Sequence, residues 1–183
     1  RVTLISGPTN INAPDRATVV AVQSADEMLE AVMSSIRDAD IFIGVAAVAD
    51  YKPVSALNQK IKKSAGSALT LDLVQNQDIL KTVANLENRP FTVGFAAETE
   101  NVIENARTKL TAKNLDMIIA NNVADTSIGF NSDHNETTII TRTITRTITG
   151  TITGTTEAQQ PKMSKENLSR KLIELIAEQT TET

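Results

Sequence analysis

Cysteine is absent from the chain, which excludes disulfides, thiolate metal sites and a cysteine nucleophile, and fits a reducing compartment. Histidine is nearly absent too. His134 stands alone in the polar stretch NSDHNE, read as a solvent-exposed turn, so a histidine-based triad or metal cluster has no residues to draw on. Neither GxGxxG nor GxxxxGKS/T occurs, which argues against a standard dinucleotide fold and a P-loop phosphate cradle. No apolar run approaches the roughly 20 residues that span a bilayer, and the opening RVTLISGPTNI has no signal-peptide layout. A net charge of -4 over 183 residues offers no basic stripe for nucleic acid or an anionic membrane. The expectation is a cytoplasmic protein with neither of those partners, whose lysines must be read one by one.

What remains is ordinary and well patterned. With 40% hydrophobic residues, 183 residues can bury the core of a doubly wound sheet. The chain starts on Arg1 and runs directly into Val2, Leu4 and Ile5, a strand already in progress, which predicts a piece of a longer protein lacking its N-terminal segment. Ser6 to Thr9 reads as a turn and Thr18 to Val22 as a second strand. Ser24 is placed to cap a helix with Met28, Leu29, Val32, Met33 and Ile36 on its apolar face and Asp26 and Glu27 in its first turn. Further on, the pattern predicts a strand at Leu69, Leu71 and Leu73, a short helix over Ile79 to Leu86, and a buried strand from Phe91 to Ala97. A helix from about Asn101 to Lys113 and a buried strand from Met117 to Ala120 complete it. Alternating strands and helices imply a three-layer, Rossmann-like α/β fold with a mostly parallel sheet, forming one domain over residues 1 to 183.

The most informative stretch is Asp40 to Lys63, DIFIGVAAVADYKPVSALNQKIKK. Ile41 to Val48 is too apolar for an amphipathic helix and reads as a central strand covered on both faces. Ala46, Ala47 and Ala49 leave room for a ligand to approach the backbone, and ligands of open α/β sheets bind at the carboxyl ends of strands. Asp50 follows, either to hold a ligand group or to cap the turn. From Asp50 to Ser67 no periodicity holds, which predicts a long functional or disordered loop. It carries Lys60, Lys62 and Lys63. Lys109 and Lys113 share a helix face by their four-residue spacing and suit a polyphosphate, with solvated surface lysines as the alternative. Asn76 and Asp78 sit where they either cap a helix or leave N–H groups facing a ligand. Phe95, beside Gly94, is either core packing or a stacking platform.

The tail differs from the rest. Thr137 to Thr156 is almost entirely Thr and Ile, with the repeat TRTITRTITGTITG, and predicts one or two long strands forming a Thr-rich hairpin or arm. Ser164 then caps a last helix with Leu168, Leu172, Ile173, Leu175 and Ile176 on its apolar stripe.

Six segments, AAVADY at Ala46, KIKK at Lys60, NQDI at Asn76, GFAAET at Gly94, KNLD at Lys113 and GFNSD at Gly129, together resemble bacterial phosphopantothenoylcysteine synthetase in order and spacing. That family is usually the C-terminal half of a bifunctional coenzyme A biosynthesis protein. The resemblance implies activation of the 4'-phosphopantothenate carboxylate by CTP, giving an acyl-cytidylate and pyrophosphate, then displacement of CMP by the amine of L-cysteine. It assigns Asp50 and Phe95 to the cytidine portion and the backbone of Asn76, Gln77, Asp78 and Ile79 to the base. Lys60 becomes the catalytic loop lysine, neutralising the triphosphate. Lys109 and Lys113 become phosphate ligands, and Gly44, Ala46 and Ala47 line the acyl group. Mg2+ would bridge the triphosphate, with its protein ligands unassigned. FMN would belong only to a decarboxylase domain outside this chain, and a homodimer or higher homo-oligomer is implied. The alternative is a noncatalytic nucleotide-binding or assembly module. Gln77 stands where the family usually has Pro, adding an N–H donor to that turn, and the Thr-rich repeat has no counterpart in the family pattern.

Overall fold

The computed structural model describes residues 1–55, 59, 69–124, 132–147 and 150–181. Lys60, Lys62 and Lys63 therefore lie outside the described residues, as does most of the loop predicted around them. The chain divides into two compact units, Arg1–Ser35 with Ala46–Ile79, and Ile36–Val45 with Leu80–Thr183.

In the first unit, β1 (Val2–Ser6) and β2 (Ala17–Ala21) pair in parallel, with Leu4 opposite Val19. Helix α1 (Ala25–Ser35) begins as its sequence predicts. Ser24 Oγ accepts the Glu27 N–H at 3.2 Å, and the Glu27 carboxylate accepts the Gln23 N–H at 2.8 Å, so two N-terminal donors are satisfied by one reciprocal pair. Val32 is buried, whereas Met33, four residues after the half-buried Leu29, lies at the exposed edge of the stripe.

Two expectations here need correction. Tyr51–Pro53 is not loop but a short strand, β4, antiparallel to β5 (Leu73–Gln75). Leu69 and Leu71 are not strand, and both are exposed. The ladder explains both. Its last bond is from the Val54 N–H to the Asp72 carbonyl at 2.9 Å, and alternation alone cannot extend a strand past the partner it pairs with.

The second unit is a sheet with helices on both faces. After a single 3-10 turn at Ile36–Asp38 come β3 (Ile41–Gly44), α2 (Ile79–Ala84), β6 (Phe91–Glu98), α3 (Val102–Ala112), β7 (Met117–Asn122), β8 (His134–Thr147), β9 (Gly150–Ser164) and α4 (Lys165–Thr181). The sheet order is β3-β6-β7-β8-β9, parallel as far as β7 and antiparallel beyond it. Period-two alternation sends successive residues of the central strands to opposite cores. Ala96, Ile118, Ala120 and Ile140 pack against Ala84 of α2 and Ala106 and Leu110 of α3. Val93, Met117, Ile119 and Ile139 pack against Leu168, Leu172 and Ile176 of α4. Ser164 caps α4 by accepting the Asn167 N–H at 3.2 Å, while Ile173 lies outside the stripe and is exposed.

The strand read as central and continuous to Val48 is four residues long and lies at the end of this sheet order. Its hydrogen-bonding partner is β6, on one side. Val45 is exposed, and a Val48 N–H to Ala46 carbonyl bond of 3.0 Å turns the chain away. Apolarity measures burial of side chains, not the number of neighbouring strands, so it overstated this element.

At the amino ends of β6 and β7, Asp116 is held by Arg89 through both carboxylate oxygens and accepts the Thr92 N–H at 2.8 Å. Asn114, in the left-handed region at φ 59°, ends α3 and donates to the Ala84 carbonyl at 2.9 Å. The KNLD segment thus includes a helix stop and a strand anchor. The expected Thr-rich hairpin is present as β8 and β9. Its outer rungs, from Arg142↔Thr155 to Thr147↔Gly150, run past the last β7 pair at Met117↔Thr141.

Candidate functional site

In the first unit, a cleft of about 380 Å³ lies at the carboxyl ends of the parallel strands β1 and β2. Three segments form its wall: Ser6 to Thr9 leaving β1, Val22 to Ala25 with Met28 at the start of α1, and Ala46 to Val48. Its position follows from handedness and direction, since parallel strands release their loops on one side. Ala46 and Ala47, proposed from sequence to line an acyl group, are in this wall, and their methyl side chains leave the volume open. Val22, which is buried, and Met28, which is half-buried, supply apolar surface.

Immediately beyond this wall the loop is tied down. The Asp50 carbonyl accepts the Asn76 N–H at 2.8 Å, and Asn76 Nδ2 donates to the Ala49 carbonyl at 2.8 Å. Asp50 and Asn76, both drawn from sequence as nucleotide ligands, are therefore neighbours across the end of the β4–β5 pair. The Asp50 side chain is exposed. Asn76 Oδ1 is buried without a hydrogen-bond partner among the described residues. Gln77 and Asp78 are exposed, and Ile79 is buried at the first position of α2.

The remaining candidates belong to the second unit. Gly44 lies opposite Gly94, and a Cβ on Gly44 would stand 3.0 Å from Leu80 Cδ1. A Cβ on Gly94 would meet Leu115 and Leu80 methyl carbons at 2.8 Å each. Close packing against α2 is thus the visible demand on both glycines. Phe95 is half-buried and packs against the core that α4 covers. Lys109 donates from Nζ to Glu98 Oε1 at 2.5 Å, and Glu98 Oε2 accepts from Asn105 Nδ2 at 3.3 Å. Lys113 forms the C-cap of α3, its N–H bonded to the Lys109 carbonyl at 3.0 Å. Lys113 therefore stands just past the end of the helix that carries Lys109.

Sequence reasoning missed three contributors. Ser6 to Thr9 was read only as a turn and Val22 to Ala25 only as a strand end and helix start, although both follow parallel strands at their carboxyl ends. Glu98, directly after the predicted strand from Phe91 to Ala97, is the third, its signal being its place at that strand's carboxyl end. Among the described residues, no three His, Cys, Asp or Glu side chains converge as a metal-binding group, and no helix is long and apolar enough to cross a membrane. His134 is exposed at the first position of β8.

Comparison with known proteins is consistent along the whole chain. The family model described as DNA/pantothenate metabolism flavoprotein C-terminal domain matches residues 1–180. The coenzyme A biosynthesis bifunctional protein CoaBC of Vibrio cholerae is 52% identical over 140 residues, covering 75% of this chain and 35% of that protein. Its counterpart from Bacillus subtilis is 39% identical over 184 residues, covering 100% of this chain and 42% of the relative. The chain thus spans well under half the length of these relatives. Among solved structures, the crystal structure of the C-terminal domain of CoaBC matches with a TM-score of 0.74 at 33% identity, over 100% of this chain and 76% of that one. The DNA/pantothenate metabolism flavoprotein from Streptococcus pneumoniae, at 18% identity and a TM-score of 0.70, shares the fold. With a strand-end cleft, the six segments and a family match over nearly every residue, the chain belongs to the DNA/pantothenate metabolism flavoprotein C-terminal domain family, represented in the C-terminal domain of coenzyme A biosynthesis bifunctional proteins.

Proposed function

We propose that this chain carries out the CTP-dependent ligation of 4'-phosphopantothenate to L-cysteine in coenzyme A biosynthesis. The observation that carries the reading is the family match over residues 1–180, and the cleft walled by Ala46 and Ala47 is the geometry that supports it. In this reading the substrate carboxylate attacks the α-phosphorus of CTP, the bond to the bridging oxygen breaks and pyrophosphate leaves. The cysteine amine then attacks the acyl carbon, CMP leaves with the former carboxylate oxygen, and the amine loses a proton.

Such chemistry needs positioning and charge neutralisation rather than a side-chain nucleophile, because a carboxylate approaching a triphosphate meets like charge. Small residues at 46 and 47 admit the acyl group. Asp50 holds the ribose or amino edge of the cytidine, and the tied segment from Asn76 to Ile79 offers backbone groups to the base. Gly44, Phe95, Lys109 and Lys113 keep the roles that the resemblance implies, Phe95 toward the cytidine and the lysines toward phosphates. Lys60 supplies the positive charge for the first step. Magnesium would enter as a counter-ion of the triphosphate, since this cation commonly keeps waters and phosphate oxygens. FMN is assigned to a decarboxylase domain of the whole protein, and the assembly is a homodimer or higher homo-oligomer.

The test is product formation by the full natural polypeptide. Pyrophosphate should appear only when CTP and 4'-phosphopantothenate are both present, with CMP release following cysteine addition, and Lys60→Gln should slow the first step by about a hundredfold. Pyrophosphate release independent of the acid, or wild-type rates in the Lys60 variant, would overturn the assignment in its respective part.

A further inference from the structure

We infer that Glu98 is a positioning residue that presents the Lys109 ammonium to the nucleotide phosphates. The inference rests on the phosphate-binding role proposed for Lys109 and adds a residue to that site. Glu98 is the last residue of β6, so its backbone is held by the sheet, and its carbonyl also accepts the Val123 N–H at 2.9 Å. The two partners are unequally enclosed. The Glu98 side chain is 13% exposed and that of Lys109 is 46% exposed. A carboxylate that far out of water needs a cation or several donors, whereas a half-exposed lysine does not.

The carboxylate is also fixed from its other oxygen. Asn105, one helical turn before Lys109, donates to Glu98 Oε2 at 3.3 Å and to the Glu100 carbonyl at 2.9 Å. Asn105 and Lys109 therefore share a face of α3, and both reach back toward the carboxyl end of β6, the direction in which helical side chains lean. Lysine has three donors on a flexible four-carbon stem. One bond to Glu98 fixes the ammonium in place and leaves two donors for an incoming anion. Without Glu98 the same stem samples many rotamers, and binding must order it.

The closing experiment compares Glu98→Gln, Lys109→Met and the double variant in the full natural polypeptide, measuring KM for CTP and kcat separately. Gln preserves shape and removes the charge that anchors the lysine. Glu98→Gln should raise KM for CTP about three- to tenfold, the scale of one rotamer-rich side chain left unordered before binding, with kcat within about twofold. In the Lys109→Met background the same change should have no further effect on KM. A Glu98→Gln effect that persists without Lys109, an unchanged KM, or tighter CTP binding would each overturn the positioning role; the last would make Glu98 a competitor of the phosphates. If Lys109→Met itself leaves KM unchanged, the phosphate role of Lys109 fails instead. Asn105→Ala, which frees the second carboxylate oxygen, should shift KM in the same direction by a smaller factor and serves if Glu98→Gln does not fold.

Discussion

Arg142 Nη1 donates to Asn114 Oδ1 at 2.8 Å while Nη2 of the same guanidinium donates to the Leu110 carbonyl at 3.2 Å. One arginine of the Thr/Ile repeat thus closes the C-terminal end of α3, where unpaired carbonyls and the helix dipole favour a cation. Arg142→Ala should destabilise the fold by about 2 kcal/mol, the scale of losing charge-assisted bonds from a partly buried group. Chemical denaturation of the variant gives the value, and a midpoint equal to wild type would show that the contact contributes nothing.

Gly94 makes a sharper packing claim. Alanine there would put a methyl group 2.8 Å from a Leu115 methyl and equally near a Leu80 methyl, on a strand whose residues Thr92 and Val93 are fully buried. Gly94→Ala should cost about 1–3 kcal/mol through forced movement of two core leucines. Gly94→Ala combined with Leu80→Val should recover part of that loss. Failure of the second change to help would locate the strain elsewhere.

Ala47→Leu tests the cleft. The larger side chain would fill space between the β1 and β2 strand ends, so KM for the acid substrate should rise at least about tenfold, as expected when a pocket is occluded by more than a kcal/mol of steric cost. KM for CTP should change far less. Equal effects on both substrates would mean that the cleft admits the nucleotide, and no effect on either would remove it from the site.

Asp50→Asn addresses the exposed carboxylate next to Asn76. The backbone bond from Asn76 to the Asp50 carbonyl does not involve the side chain, so the loop should stay in place. Discrimination between CTP and ATP should fall by about tenfold if the carboxylate accepts from the cytidine portion, a loss on the scale of one hydrogen bond to a charged group. Unchanged discrimination would leave Asp50 a solvated turn residue.

Much of this architecture was legible because its signals are local. Ser24 and Ser164 announced their helices through the geometry of one hydroxyl and an N–H three residues on, and the apolar stripes of Leu168, Leu172 and Ile176 followed the helical period. Strand neighbours were less legible. Nothing within Ile41 to Gly44 says how many strands flank it, and Leu69 and Leu71 alternate with polar residues without a strand partner among the described residues. The cleft walls from Ser6 and Val22 come from segments far apart in sequence, and they meet because β1 and β2 are parallel. The pairing of Glu98 with Lys109 spans a turn and two helical turns, so it required the lean of α3 to be seen.

The β8–β9 hairpin carries one more consequence. From Thr141 to Gly154 its sequence repeats every four residues, and a slip of four would carry Gly150 into the place of Gly154 opposite Thr143 with the repeat's residues still on their original faces. The repeat by itself is therefore indifferent to alignment. What distinguishes the observed alignment is non-repeating chemistry at the base: Glu157 on Arg107, and the irregularity between Asn135 and Thr137. Like a ruler whose marks are all alike, the arm is read from where it is clamped, and a change at the clamp would shift the tip by whole repeats rather than by single residues.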